Sequence, residues 1–482
     1  MIKSNNSYRG YLLIILIALF FVAALSVFLL LIQGKKLTPT GQIVETGVVR
    51  LLSDVGDIKV FLNGKEVSRS NNLIQNVPIG KNTILVQKPG YSDWEKVIKV
   101  DNSRVLEITA RLYPDEFNIE QVSGLNINTF AYSQDLSNMY FTVTSGNEDE
   151  NGIWRINLSN GLFDFNNNGA APQRVFSFNT ELTSIFNSNL HNLKISPNGN
   201  GVLLATSNNL NYVWLSSSPD QLLDLNVDLG FVPNQIDWFE NDSVLVFNND
   251  ILFERKINAE ANNLVSYQPG SNIVYCTSLG FGYWINGATQ NLYRYQNGNS
   301  VLVPLFTDAK GLDLIKSINC LNNINEVVVE DNSGLYFLDF NSDYIDKIAK
   351  DVTITDISAD GNTIIYKDVA TWYSYTIKDV NGTNIPVTES HLLESVPFNN
   401  SVYVVDQGNT LAIFDRNVND RNLLLLSDID GENVNGVLED ITLGMGKVAM
   451  MQSDRKKLFV VIDDKIEDGS IESMLYVVDL TK

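Results

Sequence analysis

From about residue 126 to the end of the 482-residue chain one pattern returns roughly every forty residues. It limits the fold more than any other feature. A short apolar strand runs into a turn of Asn, Asp or Gly. A second strand, a short turn, a third strand ending in Asp or Asn and a looser fourth segment follow. The clearest copy covers residues 355–390, as TDISADG, NTIIYKD, TWYSYTIKD and NIPVTES. Other copies open at Leu193, Asn234, Lys316 and Leu392, a weaker one at Ile273, and the first, at Asn126, carries an insertion near 161–171. Positions equivalent to Ile195 recur at Trp238, Cys276, Cys320, Ile357 and Val396, 37 to 44 residues apart. A four-stranded unit of this size cannot hide its apolar faces alone and must stack on its neighbours. A period of about 40–50 residues is that of a propeller blade. Separate sandwich domains would repeat roughly every 100 residues.

The last unit opens at Lys447, continues as KKLFVVIDD and MLYVVDL, and then the chain ends. Its fourth strand is missing. Residues 117–125 (FNIEQVSGL) precede the first unit and have no partner there. They are expected to supply that strand and close a ring. The count gives a β-propeller of eight four-stranded blades over residues 117–482, or seven if the weaker copies are not blades.

Residues 11–32 (YLLIILIALFFVAALSVFLLLI) contain no charge. Twenty-two helical residues span about 33 Å, enough for a bilayer core. The run is longer than a signal-peptide core and no small-x-small cleavage site follows it. The expectation is a single transmembrane helix with residues 1–10 as a cytoplasmic tail, a linker over 33–45, and everything beyond outside the cytoplasm. The flanking charges, Lys3 and Arg9 against Lys35 and Lys36, are nearly balanced. Orientation therefore rests on the short N-terminal tail and the long C-terminal region.

Charge is unevenly spread. Residues 41–114 carry ten basic and eight acidic side chains, whereas 115–482 carry 20 basic and 48 acidic. This step marks a domain boundary near Tyr113 and Pro114. A net charge of −22 argues against nucleic acid as a partner.

Over 46–114 the strands are short and alternating: 47–52, 58–62, 82–88, 94–100 and 105–112, with Asn63-Gly64 as a hairpin turn and Pro89-Gly90-Tyr91 as another. This is a small β-sandwich, and the whole chain beyond the anchor is all-β. Ile58–Lys65 (IKVFLNGK) followed by Pro78-Ile79-Gly80 and Lys88-Pro89-Gly90-Tyr91 resembles a PEGA domain. The resemblance implies an envelope-associated, non-catalytic binding module. It departs from the family at Ile79-Gly80-Lys81, where acidic and small residues would follow the proline. Tyr91 and Trp94 are read as core packing at a turn. Ser196-Pro197-Asn198-Gly199 and Ser358-Ala359-Asp360-Gly361 resemble the turns of TolB-like and WD-type propeller repeats. That resemblance supports the fold and says little about function.

Signals of chemistry are sparse. Asp164, Asn166 and Asn168, followed by Gly169, match the opening of a calcium loop, but its twelfth position is Val175 instead of a bidentate Glu. An Asn/Gly loop is the plainer reading, so no cofactor is expected and calcium is the only metal with a candidate site. Asp428, Asp430 and Glu432, and Glu148 to Glu150, are weaker still. Cys276 and Cys320 share one strand position in adjacent repeats and are read as buried thiols, with a disulfide as the alternative. His191 and His391 are read as loop histidines before inner strands. No nucleophile elbow, phosphate loop, kinase signature or metal-binding His cluster appears.

The expected function is that of a non-catalytic, membrane-anchored extracytoplasmic protein presenting a propeller to envelope proteins or to cell-wall and surface glycans. The alternative is a carboxylate-dependent hydrolase or lyase acting on extracellular polysaccharide.

Overall fold

The computed structural model describes residues 15–22, 25, 35–37, 43–53, 55–101, 105–133, 135–145, 147–158, 171–248, 251–257, 274–278, 281–285, 291–296, 299–303, 312, 314–321, 323–358, 361–378, 387–393, 396, 401–405, 410–416, 422–441, 447–451, 457–465 and 471–480. It divides into two compact units, residues 1–116 and 117–482. The boundary falls where the charge changes.

In the first unit residues 15–22 and 25 are helical. Their large apolar side chains are exposed, from 51% at Ile17 to 73% at Phe20. Among the described residues no helix is long and apolar enough to cross a membrane. The rest of the 11–32 run lies outside the described residues.

The sandwich has two four-stranded sheets. One joins Lys35–Leu37, Ile43–Ser53 and Leu73–Pro78, with Val105–Ala110 parallel to Ile43–Ser53. The other runs Lys65–Glu66, Lys59–Leu62, Gly80–Gln87, Trp94–Val100. Alternate residues meet between them: Val49, Leu51, Ile74 and Val77 from one sheet, Val60, Ile84, Val86 and Trp94 from the other. Trp94 is 1% exposed, so its role is packing; truncation to Ala would cost about 3–5 kcal/mol. Asn63 and Gly64 both have positive φ, 50° and 77°, as their hairpin requires. Leu73–Pro78 was not foreseen. Its NVP end and the positive φ of Asn71, Asn72 and Asn76 hide the alternation. Strand Lys35–Leu37 lies inside the stretch read as linker.

The second unit is a series of antiparallel sheets, eight among the described residues. Apolar clusters lie between successive sheets. Tyr140 and Ile153 of the first sheet pack on Leu193 and Val202 of the second. Leu203 and Val213 meet Val244 and Val246 of the third, and Phe239 and Leu245 meet Trp284 and Tyr295 of the fourth. The series continues through Tyr283 with Val327, Phe337 with Ile364, and Ile365 with Val402. Sheets seven and eight meet through Ser401–Val404 and Lys447–Met451. Each sheet is thus covered on both faces by its neighbours, as the repeat demanded, and the arrangement is that of a β-propeller.

The expected closure is observed. Asn118–Ser123 pairs antiparallel with Ile471–Asp479, with Ile119 opposite Val478 and Glu120 opposite Val477. Phe141 and Val143 of the first sheet share a core with Phe459, Val461 and Leu475 of the last. N- and C-terminal strands therefore hold the same sheet.

The turn after the inner strand is built alike in three sheets. The hydroxyls of Ser133, Ser196 and Ser358 accept from the N–H of Asn138, Gly201 and Thr363 at 2.9, 2.7 and 2.9 Å. Leu136, Gly199 and Gly361 take the left-handed position, at φ 57°, 71° and 72°. Sequence reading found the last two turns and missed the first, because Leu stands where Gly is expected. Leu136 is 4% exposed in the core between the first and last sheets, and that burial offsets its backbone strain.

Two expectations fail. The inner strand of the seventh sheet is Ser401–Val404, with Thr410–Arg416, Asn422–Asp428 and Asn435–Ile441 outside it. The segment opening at Leu392, read as that inner strand, imitates one because Leu393 and Val396 are buried in the same core. The helix Thr180–Asn189 between the first two sheets was also missed. Asn179 caps it by accepting from Leu182 N–H at 2.8 Å, and Leu182, Ile185 and Phe186 pack inward at helical spacing.

Candidate functional site: the inner-strand cavity

The inner strands of the third to sixth sheets, Gln235–Glu240, Val274–Ser278, Ser317–Cys320 and Thr353–Ile357, surround a cavity of about 560 Å³. Its described wall is polar: Gln235, Asp237, Thr277, Lys316, Ser317 and Asn319 contribute to it. Consecutive residues of the inner strands reach this wall, Val274 to Thr277 on one and Lys316 to Cys320 on the next, because the strands present their edge to it while both faces pack on neighbouring sheets.

Asp237 is held on several sides. Its Oδ2 pairs with Lys194 Nζ of the second sheet at 2.7 Å, and its Oδ1 accepts from the N–H of Trp238 at 2.8 Å. The indole of Trp238 donates to the carbonyl of Lys194 at 3.1 Å, tying the same two strands. Tyr275 lies against Phe247 with ring centroids 3.6 Å apart. Burial, and then the charge of Asp237, push its hydroxyl well above the usual phenol range.

Asp356 forms a second polar centre. Its Oδ2 accepts from Val404 N–H of the next sheet at 2.7 Å. Burial pushes its carboxyl up to about 6, partly opposed by the N–H groups of Val404 and Ile357. Among the described residues no other carboxylate shifts it. Tyr132 of the first sheet and Tyr403 of the seventh both feel its charge, and both hydroxyls are raised mainly by burial. Three sheets thus converge on one carboxyl.

A smaller cavity of about 310 Å³ lies between the inner strands of the second and third sheets and shares Gln235 and Tyr275 with the first. His191 lines it from within strand Leu190–Ile195. His391 sits instead in the outer strand Val387–Leu392, 3.8 Å from Glu389. Neither precedes an inner strand as expected.

Cys276 and Cys320 form a disulfide with Cα atoms 5.4 Å apart, in place of the two thiols expected. Facing positions on adjacent inner strands bring the Cα atoms within bonding range. Both residues line the larger cavity.

Asp164, Asn166 and Asn168 lie outside the described residues. Asp428, Asp430 and Glu432 fall in the turn between two outer strands, where Asp428 accepts from Asn433 Nδ2 at 2.9 Å. Among the described residues no group of three His, Cys, Asp or Glu could hold a metal ion.

What sequence reading missed is the pairing of distant charges. Lys194 and Asp237 stand one repeat apart, a usable signal; Tyr132 and Asp356 meet only through ring closure.

No curated protein matches the chain. Among solved structures it is similar to the WD40 domain of SCAP from fission yeast, at 10% identity over 76% of this chain and 98% of that one, with a TM-score of 0.47. It is also similar to the β-propeller domain of Cps50 (Swd1) from Myceliophteria thermophila, at 12% identity over 76% and 100%, with a TM-score of 0.41. A third is an oligogalacturonate lyase in complex with manganese, at 10% identity over 76% and 96%, with a TM-score of 0.41. The propeller assignment above rests on the sheets and their shared cores, and not on these likenesses. Residues 46–116, the small sandwich, match the PEGA domain.

Proposed function

We propose that this is a single-pass membrane protein, anchored through residues 11–32 with its N-terminus inside, that displays an eight-bladed propeller outside the cytoplasm as a non-catalytic binding surface for envelope proteins or glycans. The eight sheets and the strand shared by both ends of the unit support a closed ring of eight blades. The disulfide supports an oxidising compartment, since such bonds persist mainly outside the cytoplasm.

The observation that carries the binding reading is the state of two inner-strand carboxyls, Asp237 and Asp356. Carboxylate-dependent glycoside chemistry needs an acid and a base converging on one bond. Asp237 is paired with Lys194, and Asp356 is engaged by the N–H of Val404, with no second carboxylate acting on it among the described residues. The polar wall instead offers fixed donors and acceptors to a ligand.

The test uses purified residues 37–482 against a panel of envelope polysaccharides. The expected result is retention of one class without cleavage, weakened at least tenfold in Asp237→Ala. Release of shorter products would instead establish the hydrolase or lyase.

A further inference from the structure

The small sandwich carries a basic and apolar surface at the end where the chain enters it. Strand Lys35–Leu37 begins three residues after Ile32, the last residue of the apolar run, and pairs with the start of Ile43–Ser53, Lys35 opposite Glu45. The carbonyl of Glu45 accepts from Ile79 N–H at 3.4 Å. Ile79, 39% exposed, leads directly into strand Gly80–Gln87 at this end. There Lys81 stands directly opposite Lys99, and Thr83 opposite Val97. Asn82, Ile98 and Val100 point into the core, so Lys81, Lys99 and Val97 share the outer face. Both lysines are exposed and Val97 is 58% exposed.

Like charges directly opposite each other weaken a sheet. Along these two strands the acids are Glu95, two positions from Val97 on the same face, and Asp101, beyond the strand end; Glu45, at the same end, stands opposite Lys35. None stands opposite a lysine of this pair. Such a pair beside an exposed apolar residue is stabilised when an external anionic surface neutralises it.

We propose that this end of the sandwich docks on anionic phospholipid headgroups, with Lys81 and Lys99 on the phosphates and Val97 and Ile79 at the acyl boundary. The proposal rests on the membrane-anchor reading above. Reach selects the occupant. Three residues span at most about 10 Å, so a chain held in the bilayer by residues 11–32 keeps this surface beside the headgroups. Each lysine near an anionic leaflet adds roughly fivefold to the docked population, and exposed apolar side chains add more.

The full chain, reconstituted in vesicles, tests this. Val97→Cys introduces the only free thiol, because Cys276 and Cys320 are bonded, and it takes an environment-sensitive fluorophore. In vesicles with about a third anionic phospholipid the emission should shift to the blue. High salt should reverse the shift. Lys81→Gln with Lys99→Gln should cut the shifted population about twenty-five-fold at an unchanged melting temperature. Identical emission in neutral and anionic vesicles, or no effect of the lysine changes, overturns the proposal. A shift produced by a soluble polyanion on neutral vesicles and absent with anionic lipid also overturns it, and assigns the surface to a polymer. A chain that fails to float with vesicles of either kind overturns the anchor itself, a distinct result.

Discussion

Cys276 and Cys320 occupy the same position on the inner strands of two neighbouring sheets and are covalently joined there, 44 residues apart in sequence. The bond fastens adjacent sheets at the cavity wall, beside the apolar core that the two sheets share. Closing a loop of this length is worth about 4 kcal/mol in the chain-entropy model. Cys276→Ser with Cys320→Ser should lower the thermal midpoint of the large unit by several degrees. Alkylation of the denatured, unreduced protein should find no free thiol; two labelled thiols would contradict the bond.

The strand Asn118–Ser123 gives the second prediction. Deleting residues 117–124 leaves Ile471–Asp479 with an unpaired edge and removes Val122 from the core shared by the first and last sheets. The large unit should melt at a clearly lower temperature while the small sandwich, with its own core, keeps its transition. An unchanged midpoint for the large unit would contradict closure.

Asp356 makes stability depend on pH. Its folded carboxyl titrates near 6, above the ordinary value of 3.8. The folded state therefore prefers the protonated form. The stabilisation is fully present below about pH 4 and is lost as pH rises through 6. Asp356→Asn holds the neutral form at every pH. Its melting temperature relative to the parent should rise between pH 4 and 7 and then level off. Parallel curves across this range would contradict the assignment.

Gly334 immediately precedes the third strand of the fifth sheet, Leu335–Asp339, at φ 149°, and a Cβ there would sit 2.2 Å from the carbonyl oxygen of Ala349. Gly152 opens the third strand of the first sheet, where a Cβ would sit 2.1 Å from Phe176 O. Both precede a bulge in the pairing with the fourth strand. Gly334→Ala should cost about 1–3 kcal/mol or more, read as a lower denaturation midpoint, because backbone must move. A neutral result would contradict this geometry.

The repeat made most of the fold legible. Period-two alternation with turn residues is local information, and it located the inner strands of every sheet except the first and seventh closely. The unpaired segment before Asn126 and the missing last strand together announced closure. Misreadings arose where tertiary packing imitates or hides a local pattern: Leu393 and Val396 are buried without being a strand of the ladder, and Leu136 replaces a turn glycine because the core holds it. The site was far less legible. Tyr132 and Asp356 lie 224 residues apart, and only the ring brings them together.

The most direct test of the central claim is protease accessibility in intact cells expressing the full chain with a C-terminal tag. The account predicts that added protease removes residues 37–482 while a cytoplasmic marker survives. Full protection of the tag until the cells are lysed would contradict display of the propeller outside the cytoplasm.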